Sequence, residues 1–216
     1  MVSVTEERDY GVGCRMGRRL IDDRQCQDDH SQSRQSACLD CAGGGTAGRH
    51  RSAGEDRAYC FQNLAAGTPA QKAHLQDYKD FVHDIEQNTL PQVVFYKPIG
   101  QYNLHPGYTN VTDGDNHLAE LVMKLQRSAA YSDMLILITW DENGGHWDHV
   151  PPPRRDKWGP GTRIPLIAVG PTVKHGYIDH TPYDFGSILR TIELRFGLDP
   201  LDEPDRNAYP MRNFLR

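Results

Sequence analysis

Met134-Leu135-Ile136-Leu137-Ile138-Thr139-Trp140 runs without a break into Asp141-Glu142-Asn143-Gly144-Gly145-His146-Trp147-Asp148-His149. The first seven residues are apolar at adjacent as well as alternate positions, the pattern of a strand covered on both faces at the centre of a parallel sheet. In open α/β sheets ligands bind beyond the carboxyl ends of the strands, where loops diverge above a rigid floor. Two neighbouring carboxylates on that floor repel each other unless something cationic neutralises them. Oxygen-rich clusters with imidazoles close by suit divalent ions such as Mn, Mg, Ca or Zn. Gly144 and Gly145 allow a sharp turn that brings Asp148 and His149 back towards the same point. A solvated surface turn is the plain alternative. Three carboxylates, two histidines and a Gly-Gly within nine residues of a buried strand favour metal or catalytic use.

Outward from this stretch, residues 164–169 read as a second buried strand, and Thr181-Pro182-Tyr183-Asp184 opens a last helix. In that helix Phe185, Ile188, Leu189 and Ile192 face inward, and Gly197 ends it. On the amino-terminal side, Thr68-Pro69-Ala70-Gln71 reads as a helix start, with Thr as cap, Pro at the first position and Gln three residues after the cap. Leu75, Tyr78, Val82 and Ile85 continue it as one buried stripe. Residues 92–96 form a short β-branched and aromatic strand, residues 98–114 a Gly-, Pro- and Asn-rich loop. Asp115 then caps a helix with Leu118, Leu121, Val122 and Leu125 on one face. The order predicts a layered α/β fold with a mostly parallel sheet. His105 stands in the loop, and Pro106 biases it to an extended backbone that projects the imidazole. His117 reads as structural or solvated, and His180 as a residue that orients the start of the last helix.

The 216 residues suffice for one domain, or one domain and a tail. A net charge of −5 argues against general nucleic-acid binding, which leaves a basic footprint. No apolar run approaches the ~18 residues of a membrane span, and the amino terminus has no apolar core after a basic start, so no secretory signal is expected. Composition nevertheless splits the chain. All five cysteines lie in the first 60 residues and all six lysines at Lys72 or later. Residues 1–57 hold nine arginines, a single aromatic and no sustained hydrophobic period, so they are expected to be disordered or an out-of-frame product of a GC-rich gene. Cys38-Leu39-Asp40-Cys41 has the spacing of half a zinc knuckle, but a lone pair is a weak signal and no second pair stands at ligand spacing, so a zinc site is not expected. The organisation expected is therefore this segment followed by residues 58–216 as one domain.

The latter residues resemble the phosphoesterase family of bacterial acid phosphatases and phospholipases C. The resemblance is carried in order by Leu90-Pro91-Gln92-Val93-Val94-Phe95-Tyr96-Lys97-Pro98, His105-Pro106-Gly107 and Gly114-Asp115-Asn116-His117. It continues through Thr139-Trp140-Asp141-Glu142-Asn143-Gly144-Gly145, Asp148-His149-Val150-Pro151-Pro152-Pro153, Gly161-Thr162-Arg163-Ile164-Pro165 and Asp179-His180-Thr181. It implies an alkaline-phosphatase-like α/β/α sandwich, of which this would be the carboxyl-terminal half. It also implies hydrolysis of a phosphate monoester or phospholipid at a divalent metal ion. By that likeness Asp141 and Glu142 are metal ligands, His105 touches the transferring phosphoryl group or a neighbouring ligand, and Asp148 and His149 shape the site. His146 departs from the family pattern and receives no role. The family's early Glu-Asn pair and hydroxyl nucleophile have no counterpart in residues 1–57. The chain is therefore expected to be truncated and to turn over poorly, or to be a non-catalytic fragment that binds a divalent ion. Its end at Arg216 favours acid phosphatase over lipase. Members of the family are mostly periplasmic or secreted.

Overall fold

The computed structural model describes residues 2–5, 64, 67–107, 109–155 and 159–216. They fall into two compact units, Met1–Ala130 and Tyr131–Arg216. Helices and small sheets are mixed in both, so the fold class is α/β in the broad sense.

In the first unit, β1 (Val2–Thr5) lies between β2 (Leu75–Asp77) and β3 (Val94–Lys97), parallel to each. Ser3 stands opposite both Leu75 and Phe95. Of the segment 1–57 only this strand is described; the rest, with Cys38 and Cys41, lies outside the described residues. The helix start at Thr68 is as expected. The Thr68 hydroxyl accepts from the Gln71 amide at 3.1 Å, and the Gln71 side chain accepts from the Gly67 amide at 3.1 Å. The single helix expected to follow is broken. Helix α1 (Pro69–His74) gives way to β2, and α2 (Tyr78–Gln87) restarts at Asp77, where a capping box with Asp80 satisfies the new amino terminus. Of the expected stripe Leu75 and Ile85 are buried and Tyr78 and Val82 half-buried, while Phe81, outside that stripe, is the other buried position. Asn88 ends α2 in the left-handed region.

Helix α3 (Val111–Arg127) begins before the expected cap at Asp115. Asn110 caps it by accepting from the Asp113 amide at 2.8 Å. Residues 111–114 are thus helical rather than loop, despite Gly114. That glycine is needed for close approach: a Cβ there would stand 2.8 Å from the Tyr102 carbonyl oxygen. The helix buries Leu121, Leu125 and His117. Tyr102 stacks on the His117 ring at 4.7 Å, and the Tyr96 hydroxyl hydrogen-bonds Nε2. Burial holds His117 below its ordinary pKa against the opposing pull of Glu120, which fits the structural role expected of it.

In the second unit, β4 (Ile136–Thr139) pairs with β5 (Leu166–Val169) in antiparallel register, Ile136 opposite Val169 and Thr139 opposite Leu166. The parallel pairing expected of this strand is not seen among the described residues. A parallel neighbour needs a long crossover, usually helical, and the described part of the 140–165 connection holds no helix. All four β4 residues are half-buried rather than buried, because the strand has a single described neighbour. The core lies on one side: Val173, Met211 and Phe214, with Leu135, Leu137, Leu166, Ala168, Tyr183 and Ile188 against them. The carboxyl terminus reinforces it, the Lys174 amide donating to the Phe214 carbonyl and the Arg216 amide to the Thr172 carbonyl, both at 2.8 Å.

Helix α4 (Phe185–Phe196) starts at Asp184 in a reciprocal capping box with Ser187 and ends at Gly197, as expected. Its inward face is not the expected one at its first turn. Phe185 is exposed, while Ser187 and Glu193 are its buried positions, where the short helix α5 (Glu203–Arg206) packs. The tail is fastened there through the Met211 amide, which donates to the Thr191 hydroxyl at 2.8 Å. Met211 is 2% exposed. Met211→Ala is therefore expected to lower the unfolding free energy by about 2–5 kcal/mol. Leu201→Ala, at a residue 81% exposed, should change it by less than about 0.5 kcal/mol. Denaturant titration of both variants checks the contrast.

Candidate functional site

The loop after β4 is shaped by its own short contacts. Gly144 and Gly145 have φ of 58° and 77°, the left-handed region that glycine reaches without a Cβ clash. The turn is closed by the His146 amide donating to the Asn143 carbonyl at 2.9 Å, and by the Asn143 side-chain amide donating to the His146 carbonyl at 3.1 Å. The expected sharp turn is present, and it folds His146 back so that its ring stacks on Trp140, centroids 5.4 Å apart. The Thr139 hydroxyl donates to the Pro165 carbonyl at 2.8 Å, tying the end of β4 to the residues ahead of β5.

Asp148 is the most heavily engaged side chain of the loop. Arg163 grips it through two parallel hydrogen bonds, Nε to Oδ2 at 2.8 Å and Nη2 to Oδ1 at 2.9 Å. The Arg163 amide adds a third at 3.2 Å and the Val150 amide a fourth at 3.0 Å. These donors, the Arg163 side chain first, hold the Asp148 carboxyl well below the usual carboxylate range. The same hydrogen bonding pushes the Arg163 guanidinium up. His149 is exposed, with Nδ1 3.7 Å from Asp148 Oδ1.

Asp141 and Glu142 are both exposed at the end of β4. Glu142 Oε2 accepts from the Gly144 amide at 2.8 Å, which fixes one oxygen within the turn. Beside this loop Trp140, Asn143, His146, Trp147, Asp148, Arg163, Ile164 and Pro165 enclose an open cavity of about 410 Å³. Asp148 lines it; Asp141 and Glu142 do not. Among the described residues, no group of three or more His, Cys, Asp or Glu side chains is gathered as a metal site. The carboxylates of Asp141 and Glu142 are hard oxygen donors, the kind that Mn, Mg or Ca takes.

His105 belongs to the first unit, where it is exposed. Its amide donates to the Asn103 side-chain oxygen and its Nδ1 contacts the Pro106 carbonyl, both at 2.8 Å. The loop is further held by the Thr109 hydroxyl, which donates to the His105 carbonyl at 2.9 Å. His180 is exposed. The ordering ahead of α4 falls instead to Asp179, which accepts from the Thr181 hydroxyl at 2.7 Å and from the Tyr183 hydroxyl at 2.8 Å.

In the sequence Arg163 is visible only as part of the Gly161–Pro165 motif, and nothing around His146 and Trp147 marks either for a role. A lone arginine before a strand carries no signal of its own; only the fold shows it meeting Asp148, fifteen residues earlier.

The Phosphoesterase family model matches residues 52–199, and the chain belongs to this family. It is 27% identical over 158 residues to the non-hemolytic phospholipase C of Pseudomonas aeruginosa, a match covering 58% of this chain and 23% of that protein. Phospholipase C B of Mycobacterium tuberculosis is 26% identical over 143 residues, 55% of this chain and 27% of that protein. The non-specific phospholipase C1 of Arabidopsis thaliana is 28% identical over 118 residues, 44% and 22% of the two chains. The chain thus spans about a quarter of the length of the curated relatives it matches.

The depressed Asp148 pKa has a testable consequence for stability. In the unfolded chain the carboxyl binds its proton near 3.8, and in the folded chain only at lower pH. The stabilisation from the Arg163 grip is therefore complete above this value and fades as pH falls through the folded-state pKa. Asp148→Asn should melt at a lower temperature than the native chain at pH 6, and the gap should narrow as pH drops below 3.8. Parallel thermal melts across that range measure it.

Proposed function

We propose that this chain carries part of the active site of a metal-dependent phosphoesterase that cleaves a phosphate monoester or phospholipid. The observation that carries the reading is the pair Asp141–Glu142 at the carboxyl end of β4, within the family match at 52–199. Asp141 and Glu142 would hold the divalent ion through carboxylate oxygens, and residues outside this pair would complete its coordination. When bound, such an ion polarises a phosphoryl oxygen and activates a hydroxyl nucleophile.

The chain's own residues do the positioning. Glu142 accepts from the Gly144 amide, so one oxygen is oriented and the other remains for a cation. Asp148, its carboxyl held well below the usual carboxylate range by the Arg163 guanidinium, braces the loop that follows Asp141 and Glu142. His149 sits beside that carboxylate and would help to shape the edge of the site. By family likeness His105, on a loop held by Asn103 and Thr109, would touch a phosphoryl group or a neighbouring ligand. We take the assembled domain to be an alkaline-phosphatase-like α/β/α sandwich, with residues 58–216 as its carboxyl-terminal half. The phospholipase C names of the relatives favour phospholipids among the esters.

The test is hydrolysis of an aryl phosphate and of an aryl phosphorylcholine by the full chain with added Mn²⁺. Turnover is expected to be slow and to vanish with chelator. Asp141→Ala should reduce it roughly 100-fold or more, about 2.7 kcal/mol of transition-state stabilisation. Hydrolysis indifferent to both treatments would overturn the metal reading. Mn²⁺ binding without any turnover would favour a non-catalytic metal-binding fragment.

A further inference from the structure

We infer that the cavity beside the β4 loop is a phosphate-ester subsite, in which Arg163 takes the phosphate oxyanion and Trp147 the apolar part of the ester. The inference deepens the proposed phosphoesterase reading and rests on it for the choice of ligand class. Arg163 is the one permanently charged cation among the described lining residues, and its side chain is 60% exposed. A guanidinium has five N–H groups in a fixed plane. Asp148 takes the Nε and one Nη2 hydrogen, which leaves the Nη1 edge for a second acceptor. Asp148, whose side chain is only 12% exposed, acts as a positioning residue. It fixes the plane of the guanidinium and so removes the rotamer entropy that a free arginine would lose on binding.

Besides Arg163 and Asp148 the lining combines the Asn143 side chain with aromatic and apolar groups. Ile164 and Pro165 flank Arg163, and Trp140 is covered by His146. Trp147 lines the same cavity yet is 86% exposed. An indole so exposed at the rim of a site gains by covering an apolar group of the ligand. One charged contact and one aromatic contact in the same lining suit an ester of phosphate with an aryl or acyl-bearing alcohol.

The probes are inorganic phosphate and phenylphosphonate, titrated against the full chain in the presence of chelator and followed by tryptophan fluorescence. Phenylphosphonate should bind more tightly than phosphate. Arg163→Gln should raise the dissociation constant of both by roughly tenfold or more, the scale of a lost charge-assisted hydrogen bond. Arg163→Lys keeps the charge but not the fork and should fall between; it decides the matter if the Gln variant does not fold. Trp147→Ala should abolish the advantage of phenylphosphonate and leave inorganic phosphate unchanged. Asp148→Asn should weaken phosphate binding, while Asp148→Glu restores part of it. Equal affinities in the native chain and Arg163→Lys, or no binding of either probe, would overturn the inference. Because chelator is present throughout, that failure is separate from a failure of metal-dependent hydrolysis, which would leave these titrations intact.

Discussion

The second unit depends on the clasp between Asp148 and Arg163. The residues after β4 are rich in glycine and proline and have few apolar contacts of their own, so their conformation must be imposed from outside the loop. Four hydrogen bonds to one carboxylate do this, three of them from a single residue at the approach to β5. Such a grip joins two segments that the β4–β5 pairing has already brought side by side. It also neutralises Asp148, so the acidic loop carries one uncompensated charge fewer beside Asp141 and Glu142. Without it, the loop would trade a partly sheltered, multiply bonded carboxylate for a solvated one.

The core of the unit explains why the clasp is positioned reproducibly. Val173, Met211 and Phe214 pack against one face of the β4–β5 pair, and the carboxyl-terminal residues are hydrogen-bonded back along residues 172–174. The strand ends are thereby fixed, and the glycine turn converts that rigidity into a defined loop. Chemistry at a strand end needs this combination of a stiff floor and a locally braced loop.

Much of this was legible in the sequence where local chemistry decides. Thr68 with Gln71, Asp184 with Gly197, and the glycines at 144 and 145 are short-range signals, and each does in the structure what its neighbours require. The strand cores at 136–139 and 166–169 were visible as apolar runs. Longer-range facts were not. The break at 75–77 depends on pairing with Val2–Thr5, more than 60 residues away in the chain. The early start of α3 depends on Asn110 and on the passage of Tyr102 over Gly114. The antiparallel partner of β4 and the Arg163 grip depend on which segments meet, which no periodicity encodes. Phe185 misled because a 3.6-residue stripe gives a face but not its neighbour, and at the start of α4 the packed positions are Ser187 and, further on, Glu193.

The proposed function requires the strand-end carboxylates Asp141 and Glu142 to act as cation ligands. Calorimetric titration of Mn²⁺ into the full chain, beside the double variant Asp141→Asn with Glu142→Gln, addresses this without any substrate. One equivalent of bound Mn²⁺ in the native chain, lost in the double variant while its thermal melt is unchanged, is the predicted result. The same isotherm from both proteins would contradict the assignment.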